Sequence, residues 1–145
     1  MNVQNPQNLD RICAEYGYQI CQSVLGQFNK KSDTENLITK SLSVLQEDGV
    51  YAFFLYLASQ IKDKGEKEKT SSKAARVLAD KATTLLSTDH LALFPQDTQG
   101  VHEKGMEYIR KEGGLADNLD QLLLAKRVLE QTLIYARYHA KALKG

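Results

Sequence analysis

Few side chains in this sequence have the types and spacing that enzyme chemistry requires. Catalysis needs a nucleophile, an acid–base pair or a metal ion held in convergent geometry. The three histidines, His90, His102 and His139, fall in separate predicted elements, and none has a Cys or second His at metal-ligand spacing. The pair His102-Glu103 lacks the second histidine of a zincin. We therefore expect surface or half-buried histidines, no metal site and no cofactor.

The two cysteines, Cys13 and Cys21, are the remaining candidate nucleophiles. Both lie among apolar residues of one predicted helix, where a thiol is usually an inert small hydrophobe. Eight residues of helix separate them by about 12 Å, which is too far for a disulfide. Two reduced thiols are typical of a cytosolic protein. We expect no catalytic residue in the chain, which predicts a function in binding.

Glycine and aromatic motifs favour structural roles. Gly113-Gly114 precedes a predicted helix, but no Walker Lys-Ser/Thr follows, so the pair is interpreted as a helix stop. The aromatic residues Tyr51, Phe53, Phe54 and Tyr56, clustered on the third predicted helix, could stack on bases. In a segment this apolar, packing in the core is the favoured interpretation.

The basic side chains are more informative about function than the histidines, cysteines, glycines and aromatic residues. At 100° per residue, four basic residues of the last predicted helix project within about 60° of one another, and Glu130 interrupts them. These four are Lys126, Arg137, Lys141 and Lys144. Such a row can follow a phosphate backbone. A plain solvated face explains the same pattern, because Lys and Arg also stabilise the dipole at a helix C-terminus.

Length and composition describe an ordinary globular chain. It has 145 residues, of which 42% are hydrophobic and 26% charged, and its net charge is +1. This length favours a single domain, residues 1–145, with its own core. The near-neutral charge is unlike that of a strongly basic nucleic-acid-binding domain, so only local clusters of cations bear on that function. Without a secretory signal or an apolar run of about 20 residues, we expect a soluble, cytoplasmic protein.

Apolar residues recur at helical spacing almost throughout, which predicts an all-α, single-domain bundle of about six helices. The first helix is expected over about residues 6–28, after an Asn5 N-cap. The second begins with a capping box at residues 32–35. It ends at Gly49, which is free to take the left-handed conformation of a C-cap. The third helix, residues 50–58, is apolar nearly all round and is therefore predicted to be central and most buried.

The remaining elements are predicted from loop signals and apolar spacing. A solvated, mobile loop is predicted at residues 62–70, followed by a helix that is capped by Ser71 and Ser72 and reaches about Leu86. The next segment, residues 87–100, is predicted to be irregular and to pack Leu91, Leu93 and Phe94 against the core. A short helix at 101–111 and a long last helix at 115–143 complete the prediction.

Three segments together resemble the small helical subunit of type III-B CRISPR effector complexes, the Cmr small-subunit family. Residues 9–17 look like the opening helix of that family, with an Arg followed by an aromatic residue. Residues 38–55 look like its helix, glycine turn and apolar helix, with Asp48-Gly49-Val50 at the turn. Residues 122–143 resemble its long terminal helix. The pattern leaves the related type III-A branch open.

The resemblance implies a non-catalytic subunit of an RNA-guided antiviral complex. Such subunits stack with copies of themselves and with neighbouring subunits, and they help to hold the guide RNA–target RNA duplex that other subunits cleave. On this sequence, the implied RNA-binding candidates are exposed basic positions, namely Arg11, Lys40, Lys126, Arg137, Lys141 and Lys144. The implied partners are the other subunits of the complex and its RNA, with no membrane. The alternative is a helical protein-interaction adaptor or homo-oligomer that binds no nucleic acid.

Overall fold

Six α-helices and two 3₁₀ turns make up the described part of the chain. The computed structural model describes residues 6–61 and 69–144, and of residues 6 and 7 only the backbone. The helices are α1 (Pro6–Phe28), α2 (Lys31–Asp48), α3 (Val50–Gln60), α4 (Thr70–Leu86), α5 (His102–Arg110) and α6 (Leu119–Lys141). No strand occurs in these ranges, so the predicted all-α bundle is confirmed. The predicted Asn5 cap and residues 62–68 of the predicted loop lie outside the described residues.

The first and last helices pack side by side and run in the same direction. Cys13 contacts Val128, and Tyr18 further along α1 contacts His139 further along α6. On the other flank of α6, α2 runs antiparallel, because its beginning lies beside the end of α6 and its end beside the beginning of α6. The α4 helix also packs extensively against α1. Thus α6 has two long seams, one with α1 and one with α2.

The most deeply buried helix is α4, so the prediction that α3 would be most buried is wrong. Nine of the 17 residues of α4 are buried, including four alanines that leave room for neighbouring helices. Only four of the 11 residues of α3 are buried, and Leu55 is 51% exposed. The α3 helix is less buried because it packs chiefly on α2 and α4, which leaves its remaining side exposed to solvent. Its Phe53 and Phe54 are fully buried, as predicted.

Two predicted helix starts lie later in the chain than the observed ones. The α2 helix begins at Lys31, and its N-cap residue makes no side-chain capping bond. The hydroxyl of Thr34 instead donates to the carbonyl oxygen of Lys30 at 2.8 Å, a bond back along the helix. The α4 helix begins at Thr70, before the predicted Ser71 cap.

The glycine stop and the last helix also differ in detail from the prediction. Gly49 has φ +100° and ψ −174°, a region open almost only to glycine but not the left-handed helical one, because α3 begins at the next residue. Residues Leu115–Asp117 form a 3₁₀ turn, so α6 begins at Leu119. The side chain of Asn118 caps α6 by accepting a hydrogen bond from the amide of Gln121 at 3.1 Å.

The irregular segment before α5 closes one side of the core. Leu91, Leu93 and Phe94 are 5%, 3% and 2% exposed, which confirms that they tuck inward. The amides of Leu93 and Phe94 both donate to the carbonyl oxygen of Leu86 at 2.9 Å, so this segment is fastened to the end of α4.

Candidate nucleic-acid interface

The basic residues predicted on one edge of the last helix lie at the seam between α6 and α2. The ammonium of Lys126 donates to the carbonyl oxygen of Gln46 at 3.3 Å. The ammonium of Lys141 lies 3.0 Å from a carboxylate oxygen of Glu35, and the Lys141 side chain remains 50% exposed. Hence α2 orients two of the four cations and partly neutralises one of them.

The other two members of this row differ from each other in exposure. Arg137 is half-buried, and its guanidinium carbon lies 5.7 Å from the centre of the Tyr138 ring. Its Nε–H is buried and has no hydrogen-bond partner among the described residues. Lys144 is exposed just beyond the end of α6. We call Lys126, Arg137, Lys141 and Lys144 the basic row.

The structure does not bring the other two predicted RNA-binding residues to the basic row. Arg11 is exposed on α1, whereas the basic row adjoins α2. Lys40 is exposed on α2 and lines an open cavity of about 240 Å³ with Tyr56 of α3 and Ser71 of α4. Neither Arg11 nor Lys40 is therefore part of the basic row.

A second surface, on the outer side of the α1–α6 seam, was not predicted. Tyr18 of α1 is 47% exposed and Tyr138 of α6 is 60% exposed. The rings of Tyr18 and His139 meet edge to face, with centroids 5.5 Å apart and planes at 72°. Helical periodicity alone places Tyr138 on the outer side of the last helix, but only the packing of α1 brings Tyr18 against His139, the residue next to Tyr138. We call Tyr18, Tyr138 and His139 the aromatic face.

A cavity of about 270 Å³ opens further along the same seam, where Cys13 and Val128 form part of its lining. The thiol of Cys13 donates to the carbonyl oxygen of Val128 at 3.6 Å. Burial raises the pKa of Cys13 and of Cys21 above the ordinary value of 9.0. Both thiols are buried and free of disulfides, so the expected inert, protonated state is the one the geometry favours.

Beside this cavity, Asp10 and Tyr135 join the two helices. The hydroxyl of Tyr135 donates to the carboxylate of Asp10 at 2.5 Å. This hydrogen bond to the carboxylate raises the pKa of Tyr135, because the proton is held in the bond. The pair therefore remains a donor and an acceptor at neutral pH, and it ties α1 to α6.

His102 is buried, although it was predicted to be exposed or half-buried. Its side chain is 4% exposed, with Nδ1 2.7 Å from Asp80 Oδ1 and 3.5 Å from Glu103 Oε1. The backbone N–H of His102 donates to the same Asp80 oxygen at 3.1 Å. Asp80 thus binds the N-terminal end of α5 from α4, where a carboxylate is favoured by the helix dipole.

The same three groups are the metal-ligating candidates of the described residues. One ligand atom from each of Asp80, His102 and Glu103 lies within 4.8 Å of the others. A divalent cation there would take the place of the hydrogen bond between His102 Nδ1 and Asp80 Oδ1. Sequence reasoning missed this cluster because Asp80 precedes His102 by 22 residues and belongs to another helix.

An apolar patch lies at the beginning of α6, at the opposite end from the aromatic face. Leu119 and Leu123 are 66% and 54% exposed. Beside them, Leu123 helps to line a mostly apolar cavity of about 220 Å³ together with Val50 and Ile109. Apolar surface of this kind is typical of protein contacts.

Comparisons with family models, curated proteins and solved structures find no match to this chain. None of the helices in the described ranges combines the length and apolar character needed to cross a membrane. The inference of function therefore depends on the surface chemistry of the bundle and on the resemblance of its sequence segments.

Proposed function

We propose that this chain is a non-catalytic small subunit of a type III CRISPR RNA-guided effector complex. The observation that carries the proposal is the basic row, which extends over about 22 Å of helix between Lys126 and Lys141. A protein that follows an RNA backbone without reading bases needs spread-out cations rather than a pocket. Base reading is then left to pairing between guide and target. The resemblance of three sequence segments to the Cmr small-subunit family supports the same role.

A non-catalytic role agrees with how the reactive side chains are used. The thiol of Cys13 is buried, and its raised pKa keeps it protonated at neutral pH. His102 is buried against Asp80 and joins α4 to α5. These groups contribute to packing and to helix ends, which leaves the exposed cations as the chemistry offered to a partner.

The exposed leucines supply a place for protein partners within this proposal. Leu119 and Leu123 lie one turn apart at the beginning of α6, and the basic row extends toward its end. One helix would then contact a neighbouring subunit or a second copy through its first turns and RNA through its later turns. The near-neutral net charge is compatible with a protein that must pack against both.

Charge reversal within the basic row tests the RNA contact. We expect Arg137→Glu combined with Lys141→Glu to weaken RNA binding most at low salt. Loss of two phosphate contacts should reduce the slope of log K against log salt by about 1.4 for single-stranded RNA. Filter binding at several salt concentrations measures both quantities, with the full chain and with the complex isolated from its host.

The matched control reverses two cations elsewhere on the bundle. Lys104→Glu combined with Lys111→Glu changes the net charge equally at two exposed residues, in and just after α5. If both double variants weaken binding to the same extent, the basic row has no special part in binding. If neither variant changes binding in the isolated complex, the row is not an RNA contact.

The exposed leucines are equally compatible with the alternative, a helical adaptor or homo-oligomer that binds protein alone. In that case the cations at the α2–α6 seam serve α2 and acidic partner surfaces. Purification from the host separates the two roles. Short RNA and larger subunits that co-purify support the effector subunit, whereas a homo-oligomer without absorbance at 260 nm supports the adaptor.

A further inference from the structure

We propose that the aromatic face of α1 and α6 is a stacking site for unpaired ribonucleotides. This inference rests on the proposed function, that the chain contacts RNA, and it adds a second contact of a different kind. The basic row at the α2–α6 seam would meet phosphates. Tyr18 and Tyr138, on the outer side of the α1–α6 seam, would meet base faces.

The exposure of these two rings is the first argument. The chain has seven tyrosines and four phenylalanines, and among them only Tyr18 and Tyr138 are exposed. Aromatic side chains carry large apolar area and normally bury most of it. Two exposed rings on adjacent helices therefore mark a surface that a flat apolar partner can cover. The exposed imidazole of His139 lies beside them.

The close approach of α1 and α6 fixes the position of these rings. A Cβ added at Gly17 would lie 2.7 Å from the Cβ of Tyr135 and 2.8 Å from the carbonyl oxygen of Thr132. Because the backbones approach this closely, Tyr18, the next residue, reaches the ring of His139 on the other helix. The rings are held by packed helices rather than by a loop, which lowers the entropy lost on binding.

Cations lie on the same two helices as the rings. The guanidinium of Arg137 lies against the Tyr138 ring, and Lys141 follows one turn later. Arg11 precedes Tyr18 by seven residues, which places it on the same side of α1 about 10 Å away. A cation that binds phosphate next to a ring that stacks on a base is typical of single-strand binding surfaces.

Two carboxylates near this surface already have partners. The carboxylate of Asp10 accepts the hydroxyl hydrogen of Tyr135. The carboxylate of Glu15 accepts a hydrogen bond from the side-chain amide of Gln19 at 2.8 Å. Neither of these carboxylates pairs with the exposed Arg11 or with the half-buried Arg137.

Unpaired RNA fits this face better than duplex RNA or protein. In a duplex each base face is covered by its neighbours, whereas an unpaired base offers its face to an aromatic side chain. A protein contact is better served by the aliphatic patch of Leu119 and Leu123 at the other end of α6. The two ends of α6 thus differ in the chemistry they present.

The experiment compares three RNA probes on the full chain and its variants. The probes are a uridine oligomer, an abasic oligomer of equal length and a duplex of equal length. We expect the normal chain to bind the uridine oligomer at least about fivefold more tightly than the abasic one, because stacking contributes about 1–3 kcal/mol per base. Tyr18→Ala combined with Tyr138→Ala should lose this preference and keep its duplex affinity within about twofold.

Two control variants separate stacking from folding and from apolar exposure. Tyr18→Phe combined with Tyr138→Phe keeps both rings and should keep the preference for bases. Leu119→Ala combined with Leu123→Ala removes exposed apolar area at the other end of α6 and should leave the preference unchanged. Because Tyr18, Tyr138, Leu119 and Leu123 are all exposed, each variant should retain the unfolding transition of the wild-type chain.

The outcomes distinguish this inference from the proposed function. Equal binding of uridine and abasic oligomers, with the usual salt dependence, overturns the stacking site and leaves the phosphate contact intact. Failure of the normal chain and of its isolated complex to bind any probe overturns both. If the alanine variant loses a protein partner from the isolated complex and binds RNA normally, the aromatic face is a protein contact and the inference is wrong.

Discussion

The two seams of α6 are built on different chemistry. The seam with α1 is a close contact of backbones at Gly17, with a buried thiol and a tyrosine–carboxylate bond beside it. The seam with α2 carries lysines at both ends, one on a carbonyl oxygen and one on Glu35. The α1–α6 seam is held by close packing of the two backbones and by hydrogen bonds from a thiol and a phenol. The α2–α6 seam is held by lysines that an anionic ligand could also bind.

Because the two seams differ in this way, we expect changes at one seam to affect mainly the stability of the fold and changes at the other to affect mainly the binding of anions. Changes at the α1–α6 seam should alter the free energy of unfolding and be insensitive to salt. Changes at the α2–α6 seam should alter stability little, because exposed ion pairs contribute only about 0–1 kcal/mol. They should instead change how many cations are free for RNA. Three measurements can break or sharpen this contrast.

The largest effect is expected from Gly17→Ala. The added Cβ meets backbone atoms of Thr132 and Ala136 at 2.8 and 3.1 Å, so the helices must separate. We expect the free energy of unfolding to fall by about 1–3 kcal/mol, as in other overpacked cores. Urea unfolding followed by circular dichroism measures the change. Gly26→Ala is the control, since no atom lies within 4 Å of its added Cβ and the helix gains up to about 1 kcal/mol. Equal stabilisation by both variants would contradict the close approach.

An effect of at most about the same size is expected from alkaline pH. Burial raises the pKa of Cys13 and Cys21 in the folded chain, whereas unfolded thiols ionise near the ordinary value of 9.0. Above that pH the unfolded state therefore binds fewer protons than the folded state. The free energy of unfolding should fall by up to about 1.4 kcal/mol per pH unit for each thiol.

Urea titrations at pH 7.5, 9 and 10 measure this slope. Cys13→Ala should reduce this slope above pH 9 and leave it unchanged below, where both states keep their thiol protons. Added salt should alter the slope little, because the seam with α1 does not depend on exposed ion pairs. A flat profile up to pH 10 would show that the thiols ionise freely in the folded state.

The smallest effect on stability, but a gain in binding, is expected from Glu35→Gln. This change removes the ion pair with Lys141, so stability should fall by less than about 1 kcal/mol and recover in high salt. The freed ammonium should raise RNA affinity at low salt. Glu47→Gln, an exposed carboxylate at the other end of α2, changes the net charge equally. If Glu47→Gln raises affinity as much as Glu35→Gln, only net charge is acting and Lys141 has no special part.

Local signals in the sequence were sufficient for most helix bounds. The predicted bounds of α1 hold because Pro6 sets the first helical residue and apolar spacing continues to Phe28. The break between α2 and α3 holds because Gly49 reaches a positive φ that other residues avoid. The capping box failed because α2 already begins at Lys31, so that Ser32 lies inside the helix, and the carboxylate of Glu35 pairs with Lys141.

Contacts between distant parts of the chain could not be predicted in this way. The members of the basic row belong to one helical segment of the sequence, so helical periodicity alone predicts that they share one side of it. Its partners on α2, Glu35 and Gln46, depend on the antiparallel packing of two helices 80 or more residues apart. The burial of His102 and the meeting of Tyr18 with His139 likewise require positions that only the folded bundle defines.

The pairing of the first helix with the last affects how the protein is made. Cys13 and Val128 are 115 positions apart, so at about 5–20 residues per second a ribosome needs about 6–23 s to supply the partner of Cys13. During that interval the thiol and the side of α1 around Gly17 lack their final neighbours. Translation of an mRNA truncated before the codons of α6 would yield a fragment in which Cys13 and Gly17 never acquire these neighbours. Such a fragment would expose a reactive sulfur and an apolar stripe to chaperones and oxidants.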